Sequence, residues 1–342
     1  MARELSRGDN RELAPEFASL LETESFDPDM TFALENERDE HGRPIYGRAF
    51  WVSLREQQGE ESADASEGKL FVPKGNGNGS LVIFEMGMPG NSASWMERRH
   101  VPALLKEGYT SLVLRHRGTK TDSENAAELL NAPERIERGV ATNRLVIGGE
   151  RERDLRDIAN ESAVAMRALA QSFEKIKLVG HSAGALNHAY ALSHVSPEVR
   201  SKVTHFISLS GFIGGMEGRT EAFGDLEGYY EYCRRFIDMG DPKLNAELLE
   251  RDIAATLYHE GLPDHTQVVT VNAPQDEFFT LDTARRLQEF LGRGVRITDE
   301  TQSEPDYHDL KNFRPETLVR MLTMYAPSRK HSAAVSRREP KG

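Results

Sequence analysis

The sequence of 342 residues contains a single cysteine, Cys233, so it cannot form an internal disulfide framework. No apolar run approaches the roughly 20 residues that a bilayer-spanning helix needs. The first residues, MARELSRGDNRELAPEF, have no apolar core like that of a signal peptide. Lys and Arg number 43 against 55 Asp and Glu, and the net charge of -12 disfavours a nucleic-acid partner. These absences predict a soluble, cytoplasmic protein that binds neither nucleic acid nor membrane.

Hydrophobic residues are also scarce, at 38% of the chain, and the deficit is local. Residues 1–44, 55–68 and 327–342 are polar and charged, whereas the segments between them are apolar enough to bury a sizeable core. We therefore expect an N-terminal extension over 1–44. The basic segment 327–342 has little to bury, which favours a disordered tail over an arm for an anionic surface.

Short runs rich in β-branched and aromatic residues recur along the chain and predict eight strands. These runs are Tyr46–Leu54, Lys69–Val72, Leu81–Met86, Thr110–Arg115, Ile176–Val179, Val203–Ser208, Gln267–Val271 and Gly294–Ile297. Helical patterns with a period near 3.6 lie between the later strands, over Asp154–Phe173, Leu186–Leu192, Asp282–Leu291 and Pro315–Tyr325. This alternation predicts an α/β fold with a mostly parallel sheet of about eight strands and helices on both faces.

Two segments interrupt the alternation. Residues 119–151 form a long polar insertion with one short helical pattern, Glu124–Leu130. Residues 212–262 follow the sixth strand and hold amphipathic patterns such as GDLEGYYEYCRRFIDM. A structureless loop of that length is unusual, so we expect a helical cap there. The core is thereby divided into a first part over 45–211 and a second part over 263–326.

The stretch GHSAG places Ser182 between Gly180 and Gly184. A match to G-x-S-x-G is weak by itself, but here an apolar strand precedes it and helix-favouring residues follow it, as a nucleophile turn requires. The small glycines let the strand and the helix approach closely. The alternative is that Ser182 caps the helix of an ordinary strand–helix crossover.

The chain resembles the α/β-hydrolases over roughly residues 45–326, at four places that occur in the right order. After the third strand, MGMPGNSASW contains Gly87 and Pro89 of the family's His-Gly-x-Pro turn, with Met86 in the histidine position. After the fourth strand, the RHRGTKTDS stretch contains the family's Arg-Gly turn at Arg117-Gly118.

The acidic residue usual at the end of that fourth strand is replaced by Arg115. The serine turn is the third place, and the segments that would carry the acid and the base are the fourth. The resemblance implies an α/β-hydrolase fold with a helical cap inserted after the sixth strand, and a serine esterase-like activity.

A serine hydroxyl needs a neighbouring base, and the base needs an orienting carboxylate. In α/β-hydrolases the chain order is serine, acid, histidine. After the seventh predicted strand, NAPQDEFF offers Asp276, with Glu277 and the more distant Asp282 as rivals. After the eighth, His308 is the histidine of the loop TDETQSEPDYHDLKNF. We predict a triad of Ser182, His308 and Asp276.

The resemblance also implies that backbone N–H groups of Met88 and Ala183 form the oxyanion hole. Aromatic residues near the serine turn, in the cap and beside the acid are candidates for the substrate pocket, although most cap aromatics would form the cap's own core. The predicted substrate-binding residues are Trp95, Phe223, Tyr229, Tyr230 and Phe278.

The sequence gives no sign of a metal or cofactor site. Its histidines lack metal-ligand spacing such as His-Glu-x-x-His, and the run GNGNG precedes a strand rather than a helix. We predict a hydrolase without metal or cofactor that cleaves an ester or lactone of a medium-sized, partly apolar small molecule. The alternatives are an amide, peptide or thioester hydrolase with the same triad, or a non-enzymatic relative that binds a ligand. The oligomeric state is left open.

Overall fold

The computed structural model describes the chain mainly over residues 20–27, 31–34, 37–55, 65–87, 94–116, 155–211, 259–276, 293–302 and 312–324. Shorter described stretches are residues 17, 120–121, 140–141, 144–146, 152–153, 228, 231, 234, 238–239, 256, 285, 289, 308 and 310.

A nine-stranded sheet forms the centre of the protein. Its strands are β1 (Phe32–Leu34), β2 (Gly47–Arg55), β3 (Ala65–Pro73), β4 (Ser80–Glu85), β5 (Thr110–Arg115), β6 (Lys175–His181), β7 (Val203–Leu209), β8 (Gln267–Asn272) and β9 (Val295–Thr298). The spatial order is β1-β2-β3-β5-β4-β6-β7-β8-β9. Strand β2 is antiparallel to β1 and to β3. In the rest of the spatial order, from β5 through β4, β6, β7 and β8 to β9, neighbouring strands are parallel. The expected mostly parallel sheet is confirmed, with β1 as an additional edge strand.

Helices cover both faces of this sheet. They are α1 (Ser94–Lys106), α2 (Leu155–Leu169), α3 (Ala183–Ser193), α4 (Pro197–Ser201) and α5 (Pro315–Thr323). On β4, Leu81 and Ile83 belong to the core cluster that also contains the buried side chains of α2 and α3. Val82 and Phe84 belong to the cluster of α1 and α5. A parallel strand covered on both faces is apolar at successive positions for this reason.

The N-terminal segment contributes to the core despite its polar composition. Phe17, Leu20 and Phe26 are buried in the cluster of α2 and α3. Beyond them, β1 pairs with β2 and adds an antiparallel edge to the sheet. Apolar residues inside a charged segment thus attach it to the hydrophobic core of the sheet.

Parts of the 119–151 insertion form a small separate sheet. Its strands are Lys120–Thr121, Arg144–Val146 and Val140–Ala141. A second ladder joins Glu152–Arg153 to Asp238–Met239. The second ladder ties the end of the insertion region to the 212–262 segment.

Several predicted elements lie outside the described residues. They are the helical pattern Glu124–Leu130, most of the cap over 212–262, most of the helix Asp282–Leu291 and the tail over 327–342. In the part of the chain that the structure describes, no helix combines the length and the apolarity needed to cross a membrane.

Candidate active site

Ser182 lies at the sharp turn between β6 and α3. Its backbone has φ 52° and ψ −126°, in the region that residues with a Cβ rarely adopt. The Ser182 N–H donates a 3.0 Å hydrogen bond to the carbonyl of Leu209, at the end of β7. A serine held in this strained conformation directly after a central parallel strand is the geometry of a nucleophile turn.

The two flanking glycines are required by close backbone contacts. A Cβ atom on Gly180 would lie 2.5 Å from both the N and the Cα of Ala185. A Cβ atom on Gly184 would lie 2.1 Å from the carbonyl oxygen of Glu85, at the end of β4. Only glycine fits where backbone meets backbone at these distances. The G-x-S-x-G pattern therefore lets α3 pack tightly on β4 and β6.

Gly87, two residues after the end of β4, lies against the serine. A Cβ atom on Gly87 would lie 2.5 Å from Ser182 Cβ and 2.9 Å from Ser182 Oγ. Ala183 is the first residue of α3, so its N–H is one of the first-turn donors that have no partner within the helix. The other expected oxyanion donor, Met88, lies outside the described residues.

The structure brings the predicted base and acid together across 32 residues of sequence. His308 Nδ1 lies 3.2 Å from both carboxylate oxygens of Asp276. The Asp276 side chain is fully buried after β8, whereas the His308 side chain is 20% exposed. This is the arrangement in which a buried carboxylate fixes the tautomer of a reachable imidazole. The rival acids Glu277 and Asp282 lie outside the described residues.

His308 also contacts the serine turn. The Nε2–H of His181, the residue before Ser182, donates a 3.0 Å hydrogen bond to the His308 backbone carbonyl. The two imidazole rings lie 5.1 Å apart between centroids. His308 therefore lies beside the serine turn. The contact between a His308 nitrogen and Ser182 Oγ, which would complete the triad, stays a prediction.

A second serine–histidine pair lies in the core and is not a nucleophile site. Ser162 Oγ lies 2.8 Å from His188 Nδ1, and His188 Nε2 donates to the carbonyl of Ile83. Both side chains are fully buried, and burial lowers the pKa of His188. A neutral imidazole that bonds a serine on one side and a strand carbonyl on the other joins α2, α3 and β4.

The contacts around Ser182 and His308 do not test the predicted substrate-binding residues. Trp95 lies in the first turn of α1, and nothing is described of its side chain. The other four lie outside the described residues; they are Phe223, Tyr229, Tyr230 and Phe278. The composition of the pocket therefore stays a prediction.

A buried charged cluster behind the serine turn has no counterpart among the predicted site residues. His116 Nδ1 lies 2.9 Å from Glu161 Oε2, and His116 Nε2 lies 2.7 Å from Glu85 Oε1. Asn187 Nδ2 donates a 2.9 Å hydrogen bond to the same Glu85 oxygen. Burial alone would lower the pKa of His116, but the two carboxylates outweigh it and raise the pKa to about 9. His116 is therefore an imidazolium at neutral pH.

One contact of this cluster, between Glu85 and His116, can be predicted from the sequence. Glu85 ends β4 and His116 directly follows β5, and these two strands are parallel neighbours. Carboxyl ends of adjacent parallel strands meet at one edge of a sheet, so the two residues had to be close. Glu161 lies on α2, and no local pattern in the sequence indicates that contact.

The arginine at the family's acidic position has a buried partner. Arg115 is 1% exposed, and its Nη2 lies 2.7 Å from Glu97 Oε1 on α1. Lys69 Nζ lies 3.7 Å from the other Glu97 oxygen and 3.3 Å from Glu37. The charge reversal at Arg115 is thus matched by an acidic residue on the neighbouring helix.

The comparisons with known proteins agree with this architecture. The family model of the alpha/beta hydrolase fold matches residues 80–264, more than half of the chain. The chain belongs to the α/β-hydrolase family. No curated protein sequence matches it. In the described residues, no group of three or more His, Cys, Asp or Glu is arranged to hold a metal ion.

Solved structures share this α/β-hydrolase fold at low sequence identity. An esterase of Pyrococcus furiosus superposes with a TM-score of 0.51 at 12% identity, over 82% of this chain and 92% of that one. A fungal esterase from Rhizomucor miehei gives 0.51 at 15% identity, over 81% and 84%. The Pyrobaculum calidifontis esterase gives 0.50 at 14% identity, over 75% and 76%. At these identities the likeness is one of fold.

Proposed function

We propose that this α/β-hydrolase cleaves a carboxylic ester or lactone of a medium-sized, partly apolar small molecule through a serine acyl-enzyme. The observation that carries the proposal is the contact of His308 Nδ1 with both oxygens of buried Asp276, beside a serine at φ 52°. A histidine oriented by a carboxylate and a serine on a strained strand–helix turn are the two halves of a serine hydrolase site.

Each group has a role in a two-step acyl transfer. Ser182 Oγ attacks the substrate carbonyl carbon while His308 Nε2 removes the hydroxyl proton. Asp276 accepts the Nδ1–H bond and stabilises the imidazolium. The tetrahedral intermediate collapses, and His308 returns the proton to the leaving oxygen. Water then repeats the sequence on the acyl-enzyme and releases the acid and free Ser182.

The oxyanion would be held by the backbone N–H groups of Ala183 and Met88. Ala183 begins α3, so the positive end of the helix also favours the developing negative charge. Each such donor is typically worth about 3 kcal/mol of barrier. Because the donors are backbone groups, the methionine at position 86 in place of the family's histidine leaves them available.

The fold comparisons favour an ester over an amide as the substrate. The Pyrococcus furiosus, Rhizomucor miehei and Pyrobaculum calidifontis structures that share the fold are esterases. The predicted aromatic residues of the cap favour an apolar acyl or alcohol group. The medium size of the substrate follows from the same predicted pocket.

A substrate panel tests the proposal. The protein should hydrolyse p-nitrophenyl esters with a burst of p-nitrophenol equal to the enzyme concentration, without added metal or cofactor. Ser182→Ala should lower kcat by at least about 10⁴-fold. Equal hydrolysis by Ser182→Ala would contradict the proposal. Faster turnover of a matched anilide or thioester would replace the ester assignment and keep the triad.

A further inference from the structure

The charged cluster behind the serine turn joins four elements of the fold. Glu85 ends β4, His116 follows β5, Glu161 lies on α2 and Asn187 lies on α3. All three charged residues are buried, at most 2% exposed. Each ring nitrogen of His116 lies within 2.9 Å of a carboxylate oxygen, which leaves no room at either nitrogen for a metal ion or a substrate. The cluster is therefore a structural contact between elements rather than a second reaction centre.

Glu85 connects this cluster to both sides of the candidate site. The Cβ position of Gly184 lies 2.1 Å from the Glu85 carbonyl oxygen and 2.8 Å from Glu85 Cγ. Two residues after Glu85, the Cβ position of Gly87 lies 2.5 Å from Ser182 Cβ. The Glu85 side chain therefore packs against the first turn of α3, and its backbone leads directly to Gly87, which faces the serine.

We propose that Glu85, His116 and Glu161 form a charged clamp that positions the Gly87 turn against Ser182, and that the clamp holds only while His116 carries its proton. This inference rests on the proposed serine hydrolase function. The three side chains are positioning residues, since the contacts place them behind the turn and not on the reacting atoms.

The charges explain why the proton matters. With the imidazolium present, one cation lies between two buried carboxylates, and each carboxylate has a partner. Without the proton, two buried negative charges face a neutral ring, and an unpaired buried charge is strongly unfavourable. The added negative charge also lies behind the turn that must stabilise an oxyanion. Both effects reduce the rate of acyl transfer.

Neither Asn187 nor His188 supplies a positive charge when His116 loses its proton. Asn187 is uncharged and donates to Glu85. His188 Nδ1 lies 4.0 Å from Glu85 Oε2, and burial lowers the pKa of His188, so it stays neutral. The raised pKa of His116, about 9, agrees with a clamp that is closed at neutral pH and opens above it.

The test compares kcat against pH for the wild type, Glu161→Gln and Glu97→Gln. The Glu161→Gln side chain keeps its shape and an oxygen for His116 Nδ1 but loses one charge. Wild-type kcat should fall about tenfold on an alkaline limb with its midpoint near pH 9. In Glu161→Gln the midpoint should move down by about one pH unit or more, because an opposite charge has been lost.

Glu97→Gln is the matched control. Glu97 is also buried and also paired with cations, but it contacts Arg115 and Lys69. Its loss should lower the unfolding midpoint and leave the alkaline limb of kcat at the wild-type pH. An alkaline limb that stays in place in Glu161→Gln would overturn the clamp. So would a limb that moves equally in both variants.

A measurement on the wild type alone covers the case in which Glu161→Gln does not fold. In protein with ¹⁵N-labelled histidine, the His116 ring should be doubly protonated at pH 7 and should titrate together with the alkaline loss of kcat. A neutral His116 ring at pH 7 would overturn the inference. Failure of the proposed function is distinct: the wild type would then give no acyl-enzyme burst at any pH, whatever the state of His116.

Discussion

The Cβ position of Gly87 lies 2.5 Å from Ser182 Cβ and 2.9 Å from Ser182 Oγ. We therefore expect Gly87→Ala to displace the turn or the serine, because neither contact is compatible with a real methyl group. A displacement of about 1 Å at a reacting group costs on the order of 10²-fold in rate. Steady-state kinetics should show kcat falling by about that factor.

Gly42→Ala is the control for that substitution. Gly42 has φ +75° and open space around its Cβ position, in the turn between Asp39 and Arg43. The change should destabilise the protein by about 1 kcal/mol through backbone strain and leave kcat unaltered. If Gly87→Ala retains wild-type kcat, the turn does not constrain the serine.

The pairing of Asp276 with His308 predicts a large and specific effect of Asp276→Asn. The amide carries no charge to stabilise the imidazolium, and its NH₂ group can donate to Nδ1 and favour the wrong imidazole tautomer, so kcat should fall by about 10⁴-fold. KM should change little. Asp264→Asn, in the exposed turn before β8, should leave both constants at their wild-type values. A loss of less than tenfold in Asp276→Asn would assign the orienting role to another acid.

The buried pair of Arg115 and Glu97 predicts a stability effect. Glu97→Gln would remove the negative charge that lies 2.7 Å from the Arg115 cation, which is 1% exposed. Denaturant unfolding should show a loss of about 3 kcal/mol, as is typical when one member of a buried pair is removed. The double variant Glu97→Gln/Arg115→Met should recover a large part of that loss. No recovery would show that Arg115 is stabilised chiefly by other contacts.

His100 predicts a loss of stability in acid. Burial lowers its pKa from 6.5 to about 3. The folded protein keeps it neutral, while the unfolded chain protonates it below about pH 6.5. Its contribution is therefore complete above that pH and is lost as the pH falls towards 3. Between pH 7 and pH 5 the loss should be about 2 kcal/mol.

His100→Phe should remove this part of the acid dependence. The ring of His100 lies 5.7 Å from that of Phe313, so an apolar ring suits the site. His41→Gln is the control, since the His41 side chain is 63% exposed. Unfolding midpoints measured at pH 7 and pH 5 decide the matter. An unchanged difference between the two pH values in His100→Phe would contradict the account.

Local patterns in the sequence are sufficient to predict the strands of the parallel part of the sheet. Continuous apolar runs such as Leu81–Met86 predict strands buried on both faces, and Ser80–Glu85 is one. The helix Ser94–Lys106 was not predicted, because its Glu-Arg-Arg-His stretch and Pro102 conceal the apolar face. Edge strand β1 is three residues long and lies in a charged segment.

For the candidate site, the sequence indicates those residues whose order along the chain is known for α/β-hydrolases. Asp276 and His308 are predicted because each follows a predicted strand, and the structure places their side chains in contact. The contacts of Glu161 with His116 and of Glu97 with Arg115 were not found, since each joins a helix to a distant strand end. Such pairs depend on how helices pack, and no local periodicity encodes that.

Covalent labelling tests most directly whether Ser182 is the nucleophile. A fluorophosphonate probe should modify the wild type once, at a peptide containing Ser182 and identified by mass spectrometry. Ser182→Ala should not be labelled, and Ser162→Ala should be labelled like the wild type because Ser162 is buried against His188. Labelling of Ser182→Ala, or an adduct on any other serine of the wild type, would contradict the account.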